Sequence, residues 1–324
     1  MIIVQTPLRV SLFGGGTDFP SYFLSEGGCV LTTAVDKYIF VAIKQRFDSK
    51  LRVGYTQTEI VDRVDEIQHE LIREAFRTTG ITSGVEITTM GDIPAGSGLG
   101  SSGTVTVGAL HAMHAYKNEL ITAEQLSQEA CKIEIDTLKK PIGIQDQYIA
   151  AYGGLRFIQF NSSGVVECER VNLKPSLSRR LNESLLLFFT GVTRSADTIL
   201  GEQNSNIHNH LSILRRLKTM AVIANEELQS GNLDSLGHLL HESWQLKKQL
   251  ASGVSNASIE KVYLRAREAG ALGGKITGAG GGGFLLFYCR PQAREQVREA
   301  LADLQELPFE LEPNGSSVIF NHRH

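Results

Sequence analysis

The sequence predicts an α+β protein built from two domains. Its 324 residues exceed what a single hydrophobic core usually supports. Strand and helix patterns are mixed along the chain without the strict strand–helix alternation of a doubly wound sheet. The regular pattern weakens between residues 160 and 185, where Asn161, Gly164 and Pro175 lie. We therefore predict domains of residues 1–170 and 171–324.

The first domain is predicted to be rich in strands. Runs of β-branched and aromatic residues indicate strands, and apolar residues three and four positions apart indicate helices. Strands are predicted at 2–6, 8–13, 38–44, 85–90 and 155–160, and helices at 66–78, 104–116 and 124–137. Pro7 separates the first two strands because it cannot donate a backbone hydrogen bond. Thr122 is the expected N-cap of the last helix.

The second domain is predicted to contain longer helices. Strands are predicted at 185–190, 284–288 and 317–320, and helices at 195–228, 233–250, 258–269 and 292–304. A glycine-rich turn at 278–283, called the glycine turn here, precedes the strand at 284–288.

Composition favours small-molecule chemistry. The chain is 42% hydrophobic and 21% charged, with a net charge of −3 and no long run of one sign. A nucleic-acid or membrane-surface partner normally needs a basic face, so neither is expected. No signal peptide or membrane span is readable, and the four cysteines form no CxxC pair. We expect a cytoplasmic protein; its oligomeric state stays open.

The most informative segment is residues 94–104, called the glycine–serine loop here. It follows a predicted strand and opens a predicted helix, whose unpaired N–H groups attract phosphate. Glycines let the backbone approach phosphate oxygens, and serine hydroxyls add hydrogen bonds. The candidate phosphate-binding residues are Pro94, Gly96, Ser97, Gly98, Leu99, Gly100, Ser101, Ser102, Gly103 and Thr104.

Taken alone, this loop is consistent either with phosphoryl transfer from a nucleotide or with hydride transfer by a dinucleotide. Gly98, Gly100 and Gly103 have the spacing of the dinucleotide fingerprint, which would suit an oxidoreductase. The acidic residue that the fingerprint requires at the end of the next strand is missing, and no Walker A sequence occurs. A nucleotide-binding regulator without catalysis is a further alternative.

Three segments together resemble the GHMP kinase superfamily, which includes galactokinase, homoserine kinase, mevalonate kinase and phosphomevalonate kinase. They are residues 7–18, the glycine–serine loop, and residues 275–284, in the family's order. The resemblance implies ATP as phosphate donor and Mg²⁺ as its partner. It also implies an N-terminal domain like the second domain of ribosomal protein S5 and a ferredoxin-like C-terminal domain, with the active site between them.

Within the superfamily, the first segment is most similar to one branch. Galactokinases carry Glu-His where this chain has Gly15-Gly16. The triple glycine followed by Thr17-Asp18, together with residues 143–148 and 190–196, resembles D-glycero-D-manno-heptose 7-phosphate kinases. That branch phosphorylates the anomeric hydroxyl to give the 1,7-bisphosphate on the route to nucleotide-activated heptose. Kinases for fucose and other sugars share parts of the pattern.

The resemblance also implies roles for individual residues. Asp146, which is predicted to lie in a turn after the helix at 124–137, matches the catalytic aspartate that deprotonates the sugar hydroxyl. Arg9 matches an arginine that stabilises the transferring charge. Glu134 and Ser102 match the magnesium ligands, with Ser101 as a rival for the hydroxyl. Phosphoryl transfer needs little beyond such an oriented acceptor and a neutralised triphosphate.

The remaining candidates concern the sugar. Arg194, placed between a predicted strand and a helix, is expected to bind the phosphate that the substrate already carries. Asp18 is expected to bind sugar hydroxyls, and the glycine turn is expected to cover the cleft. The full set of candidate substrate residues is Gly14, Gly15, Gly16, Thr17, Asp18, Arg194, Gly280 and Gly281.

Overall fold

A computed structural model gives the structure of residues 1–193 and 196–322. Within these ranges the chain forms one sheet of eight strands and one of four, with helices packed against both. The strands are β1 Ile2–Phe13, β2 Gly28–Gln45, β3 Leu51–Gly54, β4 Thr58–Val61, β5 Val85–Gly91, β6 Leu155–Phe160, β7 Val166–Arg170, β8 Leu185–Phe189, β9 Ala271–Ile276, β10 Phe284–Cys289, β11 Gln305–Glu306 and β12 Ser317–Asn321. The helices are α1 Pro20–Glu26, α2 Glu70–Thr79, α3 Ser101–Lys117, α4 Ala123–Cys131, α5 Gln145–Tyr152, α6 Pro175–Ser184, α7 Asp197–Ser205, α8 Leu211–Ser230, α9 Leu233–Lys247, α10 Ala257–Glu268 and α11 Arg294–Ala300.

The larger sheet has the order β12-β1-β2-β5-β3-β4, and β6 and β7 extend from β2. Its pairs are antiparallel except β3 with β5. Helix α3 lies across β1 and β2, and its small buried side chains let the backbones approach closely. The glycine–serine loop therefore starts at the end of a central strand and leads into a helix buried on this sheet.

The smaller sheet has the order β11-β8-β10-β9, and its described pairs are antiparallel. Helices α9 and α10 cover one of its faces. There the ring of Phe287 lies 6.4 Å from that of Phe188 and 5.9 Å from that of Tyr263, with Trp244 beside them. This aromatic core holds β9 and β10, the two strands that flank the glycine turn.

Several boundaries differ from the predictions. Pro7 does not divide β1, because the strand continues through it with a register shift between Pro7 and Leu8 that accommodates the missing N–H group. The helix predicted at 124–137 is α4 followed by a turn of π-helix at Lys132–Thr137. In the region predicted as one helix at 195–228, a 3₁₀ turn at Ile207–His210 separates α7 from α8.

The prediction also missed α5. Six of its eight residues are buried, so it shows no polar face and no helical periodicity. Thr122 caps α4 as expected, through a reciprocal capping box with Gln125.

The division at residue 170 stays a prediction. The last strand, β12, belongs to the second predicted domain by sequence but pairs with a strand of the first. The larger sheet contains β6 and β7, which end at Arg170, and the smaller sheet begins with β8. Strand β12 nevertheless returns to pair with β1. Among the described residues, no helix has both the length and the hydrophobicity of a membrane span.

Candidate active site

A cavity of about 770 Å³, called the large cavity here, lies between the two sheets. The glycine–serine loop forms one wall, and residues of the glycine turn form another. Glu134 and Asp146 reach it from the helices that follow α3, and Arg9 reaches it from β1. The three segments that carry the family resemblance therefore meet at one place.

The glycine–serine loop is shaped by glycines with left-handed backbone angles. Gly96, Gly98 and Gly100 have φ of 75°, 85° and 81°, values that other residues rarely adopt. Helix α3 begins at Ser101 without a side-chain cap, which leaves its first N–H groups available to a phosphate.

The structure divides the predicted ATP-binding residues into two groups. Pro94, Gly96, Gly98 and Gly100 through Gly103 line the large cavity, together with Ala95, which the prediction omitted. Three others hold the loop from behind. Leu99 is buried and accepts a hydrogen bond from the Arg9 amide, Thr104 donates to the Gly100 carbonyl, and the Ser97 carbonyl accepts from the Phe284 amide.

The glycine turn packs directly on this loop. A Cβ atom on Gly98 would lie 2.7 Å from the carbonyl oxygen of Thr277, and one on Gly278 would lie 2.7 Å from the Gly98 Cα. Gly280 lines the large cavity. The Gly281 amide instead donates to the Val254 carbonyl at 2.7 Å, which anchors the turn. The close approach explains why Gly98 and Gly278 carry no side chain.

Arg9 and Asp146 form a two-pronged ion pair on the cavity wall. The Arg9 Nε donates to Asp146 Oδ1 at 2.7 Å, and Nη2 donates to Oδ2 at 2.8 Å. The third guanidinium nitrogen donates to the Gly98 carbonyl at 2.6 Å. Asp146 lies in the first turn of α5 rather than in a free turn, so the helix dipole also favours its negative charge. The pair fixes the carboxylate next to the glycine–serine loop.

Glu134 and Ser102 form a second polar group on the same wall. The Ser102 hydroxyl donates to Glu134 Oε2 at 2.5 Å, and the side-chain nitrogen Nε2 of Gln147 donates to Glu134 Oε1 at 2.9 Å. Burial is the main cause that raises the pKa of Glu134. The π-helical turn carries Glu134 to this position, a geometry common at functional sites.

These residues suit a hard divalent cation. Glu134, Ser102 and the side-chain amide of Gln147 can all offer an oxygen to a cation, and Gln147 Oε1 is buried with no hydrogen-bond partner in the described part of the chain. The described residues include no cluster of three or more His, Cys, Asp or Glu side chains able to hold a metal. A cation here depends on few protein ligands plus phosphate oxygens, which is the way Mg²⁺ is usually bound.

A second cavity of about 80 Å³, called the small cavity here, adjoins the first. Arg9 and Asp146 line both cavities, and Gly15, Gly16 and Asp18 line the small one. Asp18 accepts hydrogen bonds from the Gly16 amide and the Gln145 side chain, each at 2.9 Å. Burial, followed by the charge of Asp146, raises the pKa of Asp18.

Gly14 and Thr17 have another role than the predicted substrate contact. The Thr17 hydroxyl is buried and bonded to the carbonyls of Gly14 and Cys29 at 2.8 and 2.9 Å. A Cβ on Gly14 would clash with the Cys29 carbonyl. Neither residue lines a described cavity; both hold the turn against β2. Arg194 lies outside the described residues.

Sequence reasoning missed two lysines. Lys275 extends from β9 into the small cavity, and Lys247 extends from α9 to the carbonyls of Ile276 and Gly278 at 3.3 and 2.5 Å. Lys275 is part of the segment that carries the resemblance, but a lysine in an apolar strand gives no signal of where its ammonium ends.

The comparisons with known proteins match this geometry. Residues 65–154 match the GHMP kinases N terminal domain and residues 224–306 match the GHMP kinases C terminal domain. A D-glycero-alpha-D-manno-heptose 7-phosphate kinase of Campylobacter jejuni is 30% identical over 317 residues, covering 93% of each chain. The chain belongs to the GHMP kinases.

A second sequence relative and a solved structure also resemble this GHMP kinase. An L-fucokinase/L-fucose-1-P guanylyltransferase of Bacteroides fragilis is 28% identical over 92% of this chain and 36% of its own length. The crystal structure of a D-glycero-D-manno-heptose 1-phosphate kinase from Bacteroides thetaiotaomicron superposes with a TM-score of 0.84 at 25% identity over all of both chains.

Family membership confirms the predicted two-domain α+β fold and the predicted ATP-dependent kinase. GHMP kinases use ATP as phosphate donor. The dinucleotide alternative does not fit, since the glycine–serine loop follows a strand of a mainly antiparallel sheet rather than of a parallel, doubly wound one.

Proposed function

We propose that this GHMP kinase is a sugar kinase that transfers the γ-phosphoryl group of ATP to the anomeric hydroxyl of D-glycero-D-manno-heptose 7-phosphate, forming the 1,7-bisphosphate and ADP. The observation that carries the substrate is the similarity to the Campylobacter jejuni heptose 7-phosphate kinase across 93% of both chains. The product would serve nucleotide-activated heptose synthesis in the cytoplasm.

The position of Asp146 supports the reaction. It lies where the two cavities meet, beside the glycine–serine loop on one side and Asp18 on the other. A sugar hydroxyl at this point faces a triphosphate held by the loop. As the hydroxyl oxygen bonds to the γ-phosphorus and the bond to the β-phosphate oxygen breaks, Asp146 accepts the hydroxyl proton.

Arg9 has two tasks in this proposal. Its paired bonds to Asp146 fix the direction of the carboxylate, and its bond to the Gly98 carbonyl fixes the loop relative to that carboxylate. Its positive charge also lies close to where negative charge develops during transfer. The positions of acceptor and donor are therefore set by one side chain.

We propose Ser102 and Glu134 as the protein ligands of Mg²⁺, which would neutralise charge on the triphosphate. Glu134 is buried and accepts a close hydrogen bond from the hydroxyl of the exposed Ser102, which supports this. For the nucleotide we propose contact with Pro94, Gly96, Gly98 and the residues from Gly100 to Gly103. Gly15, Gly16, Asp18 and Gly280 are proposed to contact the sugar.

Arg194 is proposed to bind the 7-phosphate, from its place in the sequence between β8 and α7. Arg194→Ala should then raise the KM for heptose 7-phosphate at least tenfold while leaving the KM for ATP within about twofold. An unchanged sugar KM would remove this argument for a phosphorylated substrate.

A screen of ATP consumption tests the proposed substrate. The purified chain is incubated with ATP, Mg²⁺ and, separately, heptose 7-phosphate, mannose, fucose, galactose or mevalonate. We expect the highest kcat/KM with heptose 7-phosphate. The similarity to the Bacteroides fragilis fucokinase makes fucose the second candidate, and a higher kcat/KM with fucose would replace our proposal.

A further inference from the structure

The small cavity holds more polar groups than the fold itself uses. Ser11 and Gln145 line it, and the Ser11 hydroxyl and the side-chain oxygen of Gln145 are both buried without a hydrogen-bond partner among the described residues. The two residues are only 5% and 8% exposed. Unpaired buried polar atoms are costly and uncommon, which points to a ligand that completes them.

A cation extends into the same cavity from the other sheet. Lys275 is 3% exposed, and its ammonium donates one hydrogen bond within the described structure, to the Leu12 carbonyl at 3.1 Å. An ammonium carries three protons, so two remain for other acceptors. Burial, and then the charge of Arg9, lowers the pKa of Lys275 to about 7, while Asp18 opposes the shift. A ligand oxygen here would compensate this buried charge.

The arrangement also indicates which part of a substrate enters the small cavity. Asp146 lies at the junction, so the acceptor oxygen would lie there, and the atoms bonded to the acceptor carbon extend past it towards Asp18 and Lys275. The protonated Lys275 can donate hydrogen bonds but not accept them, Gln145 Oε1 can accept but not donate, and the Ser11 hydroxyl can do both. An alcohol donates one hydrogen bond and accepts others, so it matches this mixture better than an anion or an apolar group does.

We infer that Lys275, Ser11 and Gln145 form a subsite for the hydroxyl on the carbon next to the acceptor carbon, which is the 2-hydroxyl of an aldose phosphorylated at its anomeric position. This inference rests on the proposed function for the identity of the sugar. Ser11 and Gln145 belong to the larger sheet and its helices, and Lys275 to the smaller sheet. The subsite is therefore complete only where the two parts of the chain meet.

The test combines two substrates with several enzyme variants. Steady-state kinetics are measured with heptose 7-phosphate and with its 2-deoxy analogue, for the wild type, Lys275→Met and Ser11→Ala. Lys218→Met is the matched control, because Lys218 likewise donates to backbone carbonyls, those of Glu26 and Gly27, but lines neither described cavity. Thermal unfolding of each variant is measured in parallel.

For the wild type and Lys218→Met, we expect kcat/KM to fall at least tenfold when the 2-hydroxyl is absent. Lys275→Met should lose at least tenfold on the parent sugar and show less than a threefold further loss on the analogue, because the interacting pair is already broken. Its KM for ATP should stay within about twofold. Ser11→Ala should show a smaller loss in the same pattern.

Three results would overturn the inference. The first is full discrimination against the 2-deoxy analogue by Lys275→Met and Ser11→Ala. The second is an equal rise in the KM values for ATP and sugar, which would indicate a merely structural role. The third is a wild type that turns over both sugars equally. A wild type inactive on heptose 7-phosphate would instead refute the proposed substrate, and the subsite is then tested with the aldose selected by the substrate screen and its 2-deoxy form.

Discussion

Replacing Asp146 by asparagine keeps the shape of the side chain but removes the charge and the proton acceptor. Loss of a general base typically costs 10²- to 10⁴-fold in rate, which is about 3 to 5.5 kcal/mol in the activation barrier. We expect kcat to fall by that factor. The KM for ATP should stay within about twofold, because the loop that holds the nucleotide keeps its glycines and its helix.

The same substitution should also reduce stability, through Arg9. The arginine is 6% exposed and donates two hydrogen bonds to the two Asp146 oxygens. Asparagine offers one oxygen and one amide nitrogen, and the nitrogen cannot accept from a guanidinium. One charge-assisted bond is lost, so the free energy of unfolding should fall by about 1.5 to 3 kcal/mol.

Asp48→Asn is the matched control for Asp146→Asn. Arg46 binds both Asp48 oxygens at 2.7 and 2.6 Å with the same two-pronged geometry, but this pair is on the surface and away from both described cavities. The Asp48→Asn substitution should change neither kcat nor the unfolding curve appreciably. The assays are steady-state kinetics and urea unfolding. A kcat for Asp146→Asn within tenfold of wild type would refute the role of Asp146 as base.

Three further predictions concern the metal, the loop and the buried lysine. Mg²⁺ should raise the Tm of the ATP-bound wild type but not of Glu134→Gln, and an equal rise in both would exclude Glu134 as a ligand. Gly98→Ala should lower the free energy of unfolding by about 1 to 3 kcal/mol and weaken ATP binding in titration, because φ is 85° and the new Cβ meets the Thr277 carbonyl; unchanged values would contradict the loop geometry. The pKa of Lys275 is lowered by burial to about 7, so the unfolded chain binds this proton more tightly and wild-type stability should rise between pH 7 and 10 by up to about 1.4 kcal/mol per pH unit relative to Lys275→Met. If the difference in unfolding free energy between the wild type and Lys275→Met did not change with pH, burial would not lower the pKa of Lys275.

The sequence predicted the parts of the site that are local in the chain. The glycine–serine loop could be read because its strand, glycines and helix are consecutive, and the glycine turn could be read for the same reason. Strand order, the register shift at Pro7 and the return of β12 depend on pairing between distant segments. Local propensity contains no information about those pairings.

The buried parts of the site were harder to predict. Helix α5 has no polar face, because it is enclosed on several sides, and Asp146 was therefore expected in a turn. Glu134 reaches the cavity through a π-helical turn that sequence periodicity does not reveal. Lys275 and the Leu12 carbonyl are 263 positions apart in the chain. Only the packing of the two sheets shows that this lysine belongs to the site.

The structure of the reaction product tests the central claim most directly. Heptose 7-phosphate, ATP and Mg²⁺ are incubated with the chain, and the product is examined by ³¹P and ¹H nuclear magnetic resonance. We predict one ADP per sugar, and a new phosphorus signal coupled to the anomeric proton beside the unchanged 7-phosphate. A new phosphate on another carbon would contradict the proposed function. So would the absence of a new phosphate on heptose 7-phosphate when, in a separate incubation, the chain phosphorylates a different sugar.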